Sequence, residues 1–217
     1  MRGPRNWLTG AAVLAALACS AEPNREGEAD SASERAANGE NGALAAQQAP
    51  ACQPMIQNMP LEGRASPYDS TLITVDGRVA KICYGRPSAR GRTMIGGEAV
   101  PYGRLWRTGA NEPTTLHLPF AATVAGVELE PGSYSLYTMP GLDQWVVILN
   151  RSTSQWGHES RYTEEVRAQE VGRGMAPATR TEAPIETFTI RSVPSGAETS
   201  LILEWENTRV TIPVRAR

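Results

Sequence analysis

The stretch from Ser70 to Gly85 reads STLITVDGRVAKICYG, two runs rich in β-branched residues on either side of Asp76-Gly77. An Asp-Gly pair lets both central residues take the left-handed backbone that a type I′ turn needs, so the stretch is expected to be a hairpin of Ser70–Val75 with Val79–Gly85. Outward from it the same pattern repeats. Short β-like runs begin at Thr114 (TTLHLPF), Ala122 (ATVAGVEL), Gly132 (GSYSLYTM), Gln144 (QWVVILN), Ile185 (IETFTIRSV), Thr199 (TSLILEWE) and Arg209 (RVTIPV). Glu130-Pro131-Gly132, Pro140-Gly141 and Glu206-Asn207-Thr208 are the expected turns among them. Nine such runs at close spacing predict an all-β fold, a single antiparallel β-sandwich or jelly-roll-like domain.

Alternation agrees with that class. In GSYSLYTM, Tyr134, Leu136 and Thr138 fall on one face and Ser133, Ser135, Tyr137 and Met139 on the other, giving one face to a core. Farther on, Leu201, Leu203 and Trp205 alternate with Ile202, Glu204 and Glu206. Glu159–Arg167 has the propensity of a short helix without the length to decide it.

The N-terminus begins MRGPRNWLTGAAVLAALACSAEP. Two arginines precede an apolar run from Leu8 to Ala18 that is too short to span a bilayer, which predicts a signal peptide over 1–18. The small residues leading into Cys19 resemble the lipobox of bacterial lipoproteins, in which the cysteine becomes the lipidated first residue. Ordinary cleavage after an A-x-A-like site, with Cys19 an incidental thiol, is the alternative. Several acyl chains on Cys19 would exceed the two signals that stable anchoring needs. Ser20 in the next position resembles the default signal for the outer membrane, facing the periplasm or the cell surface. Residues 20–50 hold no aromatic and only Leu44 as a large aliphatic, so they are expected to be a disordered linker with a reach of about 30 Å.

The chain has 21 basic and 23 acidic residues, and after the signal and linker are set aside residues 51–217 hold 17 of each. A neutral, exported domain is no nucleic-acid partner, because that function needs a basic surplus. A domain of this length has room for a substantial core. Cys52 and Cys83 are the two cysteines besides Cys19, and export predicts a disulfide between them.

Between the hairpin and the next strand lie YGRPSARGRTMIGG from Tyr84 and VPYGRLWRTGANEPTT from Val100, with six glycines, five arginines and Trp106. The functional reading is a concave anion or glycan site on one edge of the sandwich. Arg86, Arg90, Arg92 and Arg107 offer planar forks for carboxylate, phosphate or hydroxyls. Tyr102 and Trp106 offer flat faces, and Thr108 and Asn111 orienting hydrogen bonds. The competing reading is structural: glycines for the loops' own turns, arginines paired with Glu98, Glu112 or backbone carbonyls, and Trp106 plugging the open end of the core.

These motifs, followed by PGSYSLYTMPG, WVVILN, QWG, ETFTI and LILEWENTRVTIPV, occur in an order that resembles the bacterial family of domain of unknown function 2911, over about 66–214. The resemblance implies an exported protein, often a lipoprotein, with a β-sandwich strand pattern and no established reaction. It also implies an extended chain over Glu159–Val171. Cys52 and Cys83 are not part of the family pattern, so their pairing rests on compartment alone.

Catalysis has less support in the residues. His117 and His158 are the only histidines and lie forty residues apart, without the spacing of a zinc site, so no metal or cofactor is expected. No G-x-S-x-G occurs. A carboxylate pair, Glu112 with Glu204 or Glu206, is the residual hydrolase reading. The sequence therefore leaves three functions in order: a module binding a small anionic or saccharide ligand, an assembly lipoprotein contacting envelope proteins, and a hydrolase.

Overall fold

A computed structural model describes residues 51–52 and 60–217; the expected signal peptide, Cys19 and the linker lie outside them. The described chain is nearly all β. Its strands are β1 (Tyr68–Val75), β2 (Arg78–Gly85), β3 (Thr114–Leu118), β4 (Ala122–Val124), β5 (Val127–Leu129), β6 (Gly132–Met139), β7 (Gln144–Asn150), β8 (Glu170–Ser195) and β9 (Glu198–Ala216). They pair antiparallel throughout, in the order β1-β2-β3-β6-β7-β8-β9-β4-β5.

The two sides of this sheet share β8. Its first part, Glu170 to Pro177, pairs with β7, and from Ala178 onward it pairs with β9. A strand of 26 residues passing through both parts bends the sheet over until β1 meets β8 and β9, where Thr71 Oγ1 donates to the Ile190 carbonyl at 2.7 Å. One core is enclosed, with Ile73, Ile82, Leu116, Leu136 and Val147 from one side and Leu129, Leu203, Val210 and Ile212 from the other. One region of this core is aromatic. Trp106 stacks on Trp205 and meets Trp145 and Phe188 edge-on, with ring centroids 5.2–5.9 Å apart.

The Asp76-Gly77 turn has the expected geometry, with φ of 50° and 70° and full register from Tyr68↔Gly85 to Val75↔Arg78. Three expectations are corrected. Ala122–Leu129 is two strands, because Ala125-Gly126 takes the same paired positive φ (50° and 83°) with an alanine where the usual signal is Asn or Asp. That turn rests on Gly174 of β8, where a Cβ would lie 1.9 Å from the Ala125 carbonyl oxygen. Glu206-Asn207-Thr208 is not a turn. It lies inside β9 opposite the register shifts of β8, with Glu206 at φ 50° absorbing the irregularity as a bulge.

Third, Glu159–Val171 is extended only in its last two residues, where β8 begins. A 3-10 turn (Glu159–Arg161) and a one-turn helix α1 (Glu164–Arg167) precede β8. They cover the face of β6 that alternation left polar: Tyr137 and Ile148 pack with Tyr162 and Val166 in a second small core. Both faces of β6 are therefore buried.

Cys52 and Cys83 form the expected disulfide, with Cα atoms 5.8 Å apart. The chain that follows, 60–67, lies across the glycine-rich loop as a strap. Arg64 Nη1 meets both carboxylate oxygens of Glu112 at 2.8–2.9 Å, and the two side chains are 5% and 1% exposed.

Candidate functional site

The arginines expected to reach a ligand are tied into the loops that carry them. Arg86 bonds Asp69 Oδ2 at 3.1 Å, the Phe188 carbonyl and Thr189 Oγ1, locking the end of β2 to β8. Arg90 donates to the Ala65 carbonyl at 2.9 Å, and Arg92 to those of Ala89 and Ser88. Arg107 lies 3.8 Å from Glu159 Oε1, which also accepts its backbone N–H. Asn111 donates to the Ser66 carbonyl at 3.4 Å. The expectation that Trp106 and Thr108 meet a ligand is corrected: Trp106 is 4% exposed in the core, and Thr108 is fully buried with its hydroxyl bonded to Thr138 Oγ1.

The carboxylates weighed as a hydrolytic pair are likewise engaged. Glu112 holds Arg64, Glu204 holds Arg191 and Arg209 at 2.7–3.0 Å, and Glu206 takes two backbone N–H groups. His117 bonds Ser133 at 2.7 Å, its imidazole pushed below the ordinary value by burial and by Lys81. His158 caps the 3-10 turn through Ser160. Among the described residues no group of three or more His, Cys, Asp or Glu side chains is placed to hold a metal ion.

Tyr102 is the expected residue that opens onto a cleft. This cleft, of about 600 Å³, lies between the 93–103 loop, the turn from β6 to β7, and the bulged part of β8 and β9. Its volume is that of a small-molecule site. Glu206 builds one wall. The bulge points its carboxylate at the loop, where Oε1 accepts from Met94 N at 3.0 Å and Oε2 from Ile95 N at 2.7 Å. The loop closes on itself through Gly96 N to the Val100 carbonyl at 2.9 Å and is fixed to the next turn by Gly103 N to the Pro140 carbonyl at 2.8 Å. Gly96 has φ +78°, and a Cβ there would lie 2.4 Å from the Tyr102 ring. Glycine thus leaves the space in which that ring lies flat against the loop, 45% exposed.

Opposite stand residues the sequence reading did not single out. Leu142 is 75% exposed on the β6–β7 turn, and Asp143 beside it accepts Ala178 N on its backbone carbonyl at 2.8 Å. Arg180 and Asn207 complete the rim from β8 and β9. Among the described residues, neither the Asp143 carboxylate nor the Arg180 guanidinium has a hydrogen bond or ion pair. The cleft therefore presents one aromatic face, one carboxylate and one guanidinium, all without partners, on a frame held by backbone hydrogen bonds.

The model of the family described as protein of unknown function (DUF2911) matches residues 66–214. No curated protein and no solved structure is similar to the chain.

Proposed function

The chain belongs to the DUF2911 family of proteins of unknown function, and on that premise we propose that it is a binding module, taking a small anionic or saccharide ligand in the cleft beside Tyr102. Export and a lipid on Cys19, holding the domain to a bacterial outer membrane, belong to the same proposal. The observation that carries it is the set of unpaired polar side chains, Asp143 and Arg180, facing a ring pinned in place. The Asp143 and Arg180 side chains are exposed yet bonded to nothing among the described residues, and polar groups left open beside an ordered aromatic in a concave site are what a small-molecule pocket uses to fix its ligand. In the structural reading, by contrast, each charged group of a loop has an internal partner, as Arg86 and Glu206 do.

The test is a thermal-shift screen of the full chain against sugars, sugar phosphates and carboxylates. A ligand at a hundred times its Kd raises stability by about 2.7 kcal/mol. The shift is expected to disappear in Arg180→Ala, whose exposed side chain makes no hydrogen bond or ion pair to lose. The exposed face of edge strand β1, with Ser70, Leu72 and Thr74, favours the second reading, an assembly role against envelope proteins. A flat screen together with crosslinks formed from β1 would establish that reading instead.

A further inference from the structure

We infer that the ligand of the Tyr102 cleft is a saccharide, with the tyrosine ring as the platform under one sugar ring. The inference rests on the binding reading above and narrows it. Two observations separate a sugar from a simple anion. The first is charge balance. A site selecting phosphate or carboxylate needs a surplus of free cations or a cluster of N–H donors, whereas here the one unpaired guanidinium, Arg180, is answered by the unpaired carboxylate of Asp143. The backbone N–H groups of Met94 and Ile95 are already taken by Glu206, so the loop has no anion cradle to offer there.

The second is the aromatic face. A sugar has a face of C–H groups and a rim of hydroxyls. It needs a flat apolar surface beneath, and at its edge both an acceptor and a planar donor. Tyr102 supplies the surface, and its position does not depend on the ligand because Gly96 leaves its ring a bare backbone to lie on. Asp143 accepts from hydroxyls, Arg180 donates to two adjacent ones, and Asn207 does either. Leu142, exposed on the rim, adds apolar surface to the same cleft.

The test is saturation-transfer NMR and titration of the full chain with glucose, galactose, N-acetylglucosamine, maltose and cellobiose, beside inorganic phosphate and acetate. At least one sugar is expected to bind saturably, with transfer strongest at its ring C–H protons. Tyr102→Ala should weaken it about tenfold or more while melting at an unchanged temperature, and Tyr102→Phe should keep it, since the ring and not the hydroxyl is the platform. Sugar binding indifferent to Tyr102→Ala overturns the platform. Phosphate or acetate binding that Arg180→Ala abolishes, with no sugar bound, overturns the saccharide and leaves the binding reading standing. No saturable signal from either class overturns both.

Discussion

Trp106 and Tyr102 sit four residues apart, and the sequence treats them alike, as aromatics in a glycine-rich loop. Their difference is three-dimensional. Trp106 N and O pair with Thr138, which turns the indole inward onto Trp205, whereas Tyr102 lies on the far side of the Gly103–Pro140 bond and stays out. Trp106→Ala is expected to cost about 3–5 kcal/mol, as large-to-small core changes do, seen as a lower urea midpoint. The sequence left two readings of the arginines open for a related reason, since side-chain type shows what a group can bond and not which internal oxygen is nearest. Titration also belongs at this scale. Arg173 hydrogen bonds hold the Glu170 carboxyl below its usual value; burial works to raise that of Glu204, but Arg209 and Arg191 override it. Both carboxyls are depressed by folding, so their contribution is present above the ordinary value of 4.5 and lost as pH falls through their folded values. Tyr68 and Tyr137 are pushed up to about 12, chiefly by burial, so their contribution is present below 10.0 and lost as pH rises toward 12. His117, held below its ordinary 6.5 by burial and by Lys81, protonates first in the unfolded chain, so stability also falls as pH drops below that value. Urea midpoints should therefore be level from about 6.5 to 10.0 and fall on both sides, with a shallower acid limb in Glu170→Gln.

Single elements were legible where local chemistry sets them. β6 and β7 match their expected bounds because apolar runs end at Pro-Gly and at a polar loop. The first part of β8, Glu170 to Pro184, was invisible, since its two glycines and two prolines leave Ala176 as its only fully buried side chain. That part is a strand because β7 and then β9 give its backbone partners. The bulge at Glu206 likewise looks like a turn in isolation. Its consequence is functional, for it fixes the cleft wall, and Glu206→Ala should release the Met94 and Ile95 amides. Hydrogen exchange at those two amides is expected to quicken while amides of β2 and β3 stay protected, and sugar affinity should fall with it.

For the molecule as a whole, the all-β class and the bridge were legible, while the cleft was not. Its walls come from residues near 95, 102, 142, 180 and 207, and only the bend of the sheet gathers them. The strap is a property of this scale too. Arg64→Ala leaves the Glu112 carboxylate buried without its cation, and loss of about 3–5 kcal/mol is expected by urea unfolding. Removing the bridge as Cys52→Ser with Cys83→Ser should cost about 3–4 kcal/mol, for a ring of about thirty residues, and lower Tm by about 2–4 °C for each kcal/mol.

The bridge also decides how the domain bears tension. A pull arriving from the N-terminal side reaches Cys52 and crosses directly to Cys83, near the end of a strand that is paired there with both β1 and β3. The described residues between the two cysteines, 60–82, are bypassed by the bridge. The sulfur pair thus acts as a mechanical bypass: force applied on the N-terminal side of Cys52 would load the paired backbone around Cys83. The strap that carries Arg64, and the Asp76-Gly77 turn, would stay slack.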